Sequence, residues 1–533
     1  MLLPWFWRSA GQQAKASRRK HRSLSFRPRL EGLEDRCLLS TVMNLNDSGD
    51  GSLRQAILST PAGGTVDFEA GLTGAIALTM GELAIPNDLT IAGPGADTVT
   101  VSGSDASRVF NIGANHTVAI SGLTIADGRS PNDRGGGIHN YLSTLTVTDC
   151  IFRGNSVTSS GSAVGGGIEN EAGSLTVIDC TFSGNSVTGG GVVVGGGIAS
   201  YGTLTVVDST FSGNSANGSL SGGGGISNSG PATITGCTLS GNSASAGGAI
   251  LNNNVGPLTM LNCTLSGNSA VLNGSGSGLG GAIYTEGGGL ALTSCTLSAN
   301  SSDRLAGGII MSAGSETTLG NTIIAGNSAP AGFSPDVVAF STAPIHSNGY
   351  NLIGVGGSAS GFTATDLVGT AANPIDPHLG PLQDNGGPTQ TMALLAGSPA
   401  LNAGDPAQLG TADQRGVVRA GGVNIGAYQA SASAFVLTAP TTTVTAGTPF
   451  EVTVQAVDIF GQAALGYRGT VTFITSDIDP AVVLPDAYPF TAADQGTHTF
   501  SAAFILVTPG DQTLTVNDLA GGFGNSLTLT VEG

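Results

Sequence analysis

From about residue 65 onward the chain is written in short runs in which apolar and polar residues alternate, as in Leu145-Thr146-Val147, Leu175-Thr176-Val177 and Leu204-Thr205-Val206. A period of two sends one set of side chains inward and the other outward, which predicts β-strands. Long segments with a 3.6-residue period are missing. One short helix is expected at Ser52–Ile57, with Ser52 as N-cap and Leu53, Ala56 and Ile57 as its apolar face.

Two motifs organise the alternation. Gly-Gly-[Gly/Ala]-Ile stands at Gly135–Ile138, Gly165–Ile168, Gly195–Ile198, Gly223–Ile226, Gly247–Ile250 and Gly280–Ile283, with a looser copy at Gly307–Ile310. Between these copies lies [Phe/Leu]-x-x-Asn, whose asparagines are Asn155, Asn185, Asn214, Asn242, Asn268 and Asn300, with Asn327 in a variant copy. Each unit holds three strand-like pieces: the Gly-Gly-x-Ile run, a Leu-Thr-Val triplet, and a piece such as Cys180–Asn185. Inside-outside parity breaks between Val177 and Cys180, so the chain must bend there. Three strands and three bends make one coil of a solenoid in which each coil buries its apolar side only against its neighbours.

The fold expected is all-β: a right-handed parallel β-helix over residues 41–344, about nine or ten coils in all at a rise of about 4.8 Å, followed by a β-sandwich. Stacking superposes equivalent residues. Inward Phe, Leu, Ile and Val therefore form apolar ladders, and the seven asparagines form an inward amide ladder, each amide donating to and accepting from its neighbours. Cys150, Cys180, Cys237, Cys263 and Cys295 share one repeat position, where Ser209 stands in another coil. They are expected as a ladder of buried free thiols, although regular cysteines in an exported chain also admit disulfides. Residues 434–533 lack the motifs. They alternate at Phe450–Val457, Gly469–Thr475, His498–Phe504, Gln512–Asn517 and Ser526–Val531, between turn signals such as Pro440, Gly447 and Gly461. That pattern predicts an immunoglobulin-like sandwich. Tyr467 and Tyr488 are its only tyrosines and it has no Trp, which argues against a sugar-stacking platform.

Charge changes the picture at one end. Nine of the 18 Lys and Arg lie in residues 1–36, leaving nine Arg against 33 Asp and Glu from Cys37 onward. So acidic a body is not expected to bind nucleic acid, whose phosphates need Lys and Arg. No apolar run is long enough for a transmembrane helix. The segment Arg29-Leu30-Glu31-Gly32-Leu33-Glu34-Asp35-Arg36-Cys37-Leu38-Leu39-Ser40 resembles the planctomycete-type N-terminal sorting signal, which marks residues 1–40 as an export segment and implies a place at the cell surface or beyond. The alternating motifs over 135–327 resemble the polymorphic outer-membrane-protein repeat of bacterial surface proteins, which implies a β-helical, in some members adhesive, domain. Gly51–Ile57 is similar to the segment ahead of many bacterial β-helix proteins. Within 345–431, Ser347–Gly354, Asp376–Leu382, Asp384–Thr389, Ser398–Asp405, Asp413–Gly416 and Asn424–Tyr428 together resemble the choice-of-anchor Q domain. That resemblance implies the end of the solenoid plus its cap, ahead of an anchoring module, with Asp413 and Arg415 as a buried structural pair.

Candidate chemistry is sparse. A polysaccharide lyase or glycoside hydrolase of the pectate-lyase-like β-helix type needs acids and a basic residue in one groove. Asp127, Asp133, Glu169 and Glu171 are the acids available, and Arg129, Arg134, Arg153 and Arg304 the bases. No catalytic residue is assigned, and the six histidines, His139 among them, read as scattered. Asp149, Asp179 and Asp208 occupy equivalent positions in three successive coils, which predicts either solvated carboxylates or a weak calcium site; no other cofactor is expected. The function expected is that of a non-catalytic, exported cell-surface protein, structural or adhesive. It would meet a surface glycan or protein at the variable bends Val157–Val164 and Val187–Val194. The polysaccharide-degrading enzyme is the alternative.

Overall fold

The computed structural model describes residues 39–533 apart from 132–133, 254–255, 273–277, 341–344, 421, 460 and 521. Cys37, Asp133 and nearly all of the sorting motif lie outside the described residues. The chain is almost entirely β-structure, a parallel β-solenoid of about 11 turns followed by a C-terminal sandwich. The turns outnumber the nine or ten expected because coils that lack the motifs still stack at both ends: Leu39–Val42 pairs in parallel with Gly64–Phe68, and Leu352–Ile353 with Leu367–Val368.

Three long sheets form the coil. The Leu-Thr-Val pieces build a 12-stranded sheet from Leu39–Val42 to Ile345–Gly349, and the Phe pieces another 12-stranded sheet from Gly74–Ala77 to Leu367–Val368. The Ile pieces build a 10-stranded sheet from Leu83–Ile85 to Val337–Ala339. Registers join equivalent residues, as Leu145↔Leu175, Phe152↔Phe182 and Ile138↔Ile168. Phe152, Phe182 and Phe211 stack with ring centroids 4.5 and 4.7 Å apart. The short helix forms at Leu53–Ser59, and the Ser52 side chain accepts from Gln55 N.

The expectation of three strands per coil is corrected. Between Arg129 and Ser302 the chain adds a fourth strip of seven strands, and Ala163–Val164, Val192–Val194 and Leu220–Gly222 add a fifth of three. Val157–Val164 and Val187–Val194, expected as bends, therefore begin and end in strands. Val157, Ala163, Val187 and Val193 are buried in a small core of their own with Ala216 and Ala244. The tips between these strands face solvent, as do the outward strand residues Thr158, Thr188 and Val192.

Residues 376–431 run back along the outer side of the Phe sheet. Gln414 Nε2 donates to Thr238 Oγ1 (2.9 Å), Thr264 Oγ1 donates to Gln414 Oε1 (2.6 Å), and Ala427 N donates to Thr296 Oγ1 (3.0 Å). This clasp thus uses outward threonines of three successive coils. Arg415 is fully buried between Asp413 (3.1 Å) and Asp458 (2.6 Å), and Asp458 belongs to the last hundred residues. Those residues fold as a three-stranded sheet (Ala434–Thr438, Phe450–Val457, Thr497–Phe504) and a five-stranded one (Thr443–Thr445, Gly524–Glu532, Gly510–Asp518, Thr470–Thr475, Tyr488–Pro489). Phe435, Val454, Phe473, Phe500 and Phe504 are in the core between them.

Candidate functional site

The predicted asparagines stand in one file. Asn155 Nδ2 donates to Asn185 Oδ1 (2.9 Å), and the same bond links Asn185 to Asn214, Asn214 to Asn242, Asn242 to Asn268, Asn268 to Asn300 and Asn300 to Asn327. Each Nδ2 also donates to a carbonyl of the preceding coil, as Asn185 does to Phe152 O (3.0 Å). Asn327 Nδ2 ends the file on Asp336 Oδ1 (2.8 Å), a buried carboxylate that repeat spacing does not reveal. Burial pushes the Asp336 carboxyl up, more than its donors at Asn327 and Val355 lower it. The five cysteines Cys150, Cys180, Cys237, Cys263 and Cys295 are free and buried. Their file includes Ser209, whose Oγ accepts from Cys180 N (3.1 Å) just as Cys180 Sγ accepts from Cys150 N (3.4 Å). A thiol and a hydroxyl are interchangeable there because both accept an otherwise unpaired N–H and donate onward. All of these groups are buried and bond to the chain's own coils.

Asp149, Asp179 and Asp208 share a turn with positive φ, at +49°, +52° and +47°, and Asn262, Ser294 and Asn321 take the same kind of conformation. Asp and Asn tolerate this left-handed region better than other side chains, which accounts for their choice by backbone geometry. Burial and then the charge of Asp149 raise the Asp179 carboxyl, and burial and then Asp179 raise Asp208.

A different cluster concentrates the titratable groups. His139 and Glu169 are register partners on adjacent strands of the Ile sheet, and Glu171 follows on the same side of Glu169's strand. Ligand atoms of the three lie within 4.8 Å of one another. Arg134 Nη1 reaches Glu169 Oε1 at 3.0 Å and Glu171 Oε1 at 3.2 Å. His139 Nε2 lies 3.6 Å from Glu169 Oε2 and 3.3 Å from Glu171 Oε2. Tyr141 pairs in register with Glu171, and Tyr201 occupies the next coil's position, both partly exposed.

Glu169 points away from the solenoid interior, yet its side chain has no exposure. Gly165 explains this. Its φ of +66° folds the chain back so closely that a Cβ there would lie 2.8 Å from Glu169 Cβ. The glycine motif therefore roofs the glutamate. Burial pushes the Glu169 carboxyl up to about 8, against Arg134, which lowers it, and with Glu171, whose charge raises it. Glu169 Oε2 has no hydrogen-bond partner among the described residues.

Of the acids named from the sequence, Glu169 and Glu171 come together. Asp127 sits in a turn at φ +48°, with Ser102 Oγ at 3.3 Å, outside the cluster. Of the bases, Arg134 joins them, while Arg129, Arg153 and Arg304 are exposed elsewhere. His139, expected as an ordinary residue, is corrected to a member of the cluster. The missed signal was positional: His139 and Glu169 each follow directly on a Gly-Gly-Gly-Ile motif, so stacking puts them side by side.

The arrangement can bind a cation or hold a proton. It is poorly built for glycoside hydrolysis, which sets two carboxyl groups on either side of a scissile bond. Glu169 and Glu171 are neighbours on one strand face, share one arginine, and the first is sealed from any sugar. Comparison with protein-family models, with curated proteins and with solved structures finds no match to this chain.

Proposed function

We propose that this chain is an exported cell-surface protein, and that its solenoid, clasp and sandwich act as a non-catalytic, structural or adhesive rod. The observation that carries this reading is the investment of its buried polar side chains in architecture. Asparagine, cysteine and clasp contacts tie coil to coil and coil to sandwich, as a load-transmitting spacer requires. The N-terminal resemblance to a planctomycete-type sorting signal supplies the export, and the repeat and choice-of-anchor Q resemblances supply the surface setting. The sandwich is read as an immunoglobulin-like spacer. A glycan or a protein of another surface is the partner this reading requires, met at the solvent-facing tips between the side-strip strands. Calcium at Asp149, Asp179 and Asp208 belongs to this reading as an accessory, and melts with calcium against chelator test it; an unchanged melting temperature removes it.

A second reading, a polysaccharide lyase or glycoside hydrolase, has one observation in its favour, the meeting of Glu169, Glu171 and Arg134. One pair of assays separates the two. The rod predicts removal of the protein by protease applied to intact cells, together with no release of reducing or unsaturated sugars from a polysaccharide panel. Sugar release that Glu171→Gln abolishes would replace the rod by the enzyme, and protection from protease on intact cells would remove the surface location.

A further inference from the structure

We propose that His139, Glu169 and Glu171 form a binding site for one divalent transition-metal ion of the zinc class. Three facts of geometry lead there. The donor set is one imidazole nitrogen and two carboxylates, with ligand atoms all within 4.8 Å of one another. His139 Nε2 makes a long hydrogen bond to Glu171 Oε2, and its separations from the two carboxylates are longer than in a tight ion pair and close to those of shared coordination. A charge-assisted N–H···O contact closes to about 2.7–2.9 Å, whereas His139 Nε2 stands 3.3 Å from Glu171 Oε2 and 3.6 Å from Glu169 Oε2. Two donors each about 2.0–2.1 Å from one tetrahedral ion are held roughly 3.3–3.4 Å apart.

The third fact is the state of one member, seen in its burial and its hydrogen bonds. Glu169 is fully buried and its Oε2, which faces His139, has no hydrogen-bond partner among the described residues. A buried polar oxygen without a partner is costly. Arg134 takes the Oε1 atoms of both glutamates and so turns both Oε2 atoms toward the imidazole. That is the way an outer partner orients carboxylate ligands. The ligands sit on neighbouring rungs of a rigid sheet, so the site exists before an ion arrives.

The donor set also selects the ion. Imidazole suits zinc, copper, iron and nickel, whereas calcium takes six to eight oxygens. Three protein ligands leave one tetrahedral position for water or an incoming group. Glu171 is the ligand nearest solvent, a third exposed and set between the Tyr141 and Tyr201 positions of the adjoining coils.

The test uses the full untagged chain, stripped with chelator and titrated with Zn2+ by calorimetry, with Co2+ absorption as a second readout. Expected are one Zn2+ per chain, a rise in melting temperature, and a cobalt visible spectrum of tetrahedral intensity. His139→Ala and Glu171→Gln should each weaken Zn2+ binding about 100-fold or more, at the upper end of what outer-shell losses cause. Both positions are partly exposed, and circular dichroism checks that each variant folds. Glu169→Gln should abolish the cobalt spectrum, and Glu316→Gln, at an exposed carboxylate outside both acidic clusters, should leave binding unchanged. Failure to bind one Zn2+ or Co2+, tighter binding of Ca2+ than of Zn2+, or unaltered binding in folded His139→Ala and Glu171→Gln would overturn the proposal and leave an ion-pair network in its place.

Discussion

At the scale of single residues, position in the coil decides chemistry. An asparagine in the ladder satisfies a side-chain amide, a backbone N–H and a carbonyl at once, so no other residue fits without leaving a buried group unpaired. Asn214→Ala removes the acceptor of both Asn185 N and Asn185 Nδ2. Each orphaned buried donor costs roughly 1–3 kcal/mol, so a loss of about 3 kcal/mol is expected in chemical denaturation. Thr205→Ala, on the outward row of the Leu-Thr-Val sheet, should lose less than about 0.5 kcal/mol. Equal losses would mean the ladder contributes nothing special. The ladder was legible in the sequence because stacking writes one requirement at intervals of 26 to 32 residues. Asp336, which ends it, was not, because it lies only nine residues beyond Asn327 and belongs to no repeat. The cluster at His139 was hidden for a related reason. Its rung reads His139, Glu169, Ala199, and a column whose members differ shows no periodicity.

At the scale of elements, strands were legible wherever alternation was clean and misread where glycine and serine resembled loops. The side strips are the example. Val157 and Val187 are inward strand residues flanked by Ser, Thr and Gly, which read locally as turn composition. The register of one coil upon the next, rather than local propensity, makes them strands. In the sandwich, loops are held by carboxylates instead. Asp477 accepts from Val507 N, Thr508 N and Thr508 Oγ1, and Asp494 from Thr491 N, Thr491 Oγ1, Tyr488 and His498. Burial is the largest single influence and raises both carboxyls, but the donors together outweigh it and hold them at about 2, below the ordinary 3.8. A carboxyl lowered on folding stabilises the native state above its unfolded value and loses that contribution as pH falls through its folded value. The sandwich should therefore lose stability between about pH 4 and 2, read as a falling melting temperature. Asp477→Asn should flatten that slope, and an unchanged slope would assign the acid sensitivity elsewhere.

At the scale of the whole molecule, the two architectures foreseen from the sequence are joined by a device that was only half foreseen. Asp413 and Arg415 were expected as a buried pair, and the third partner, Asp458, comes from the sandwich. No pattern in one segment can announce a partner in another that shares no repeat with it. Removing the arginine leaves two carboxylates buried without their cation, at a cost of about 3–5 kcal/mol. Arg415→Ala should split a shared calorimetric transition into separate melting of sandwich and solenoid, whereas a single transition at a lower temperature would show that other contacts suffice to couple them.

The asparagine file has a direction. Every side-chain amide from Asn155 to Asn300 gives one hydrogen to the next asparagine's oxygen on the C-terminal side and the other to a backbone carbonyl on the N-terminal side, so the amide-to-amide bonds of the column all run head to tail. Its leading oxygen, on Asn155, is occupied by Gly128 N, and its trailing hydrogen by the carboxylate of Asp336. With both poles satisfied inside the solenoid, the column begins and ends without leaving a buried amide unpaired, so the coils above and below it can dispense with asparagine at that corner.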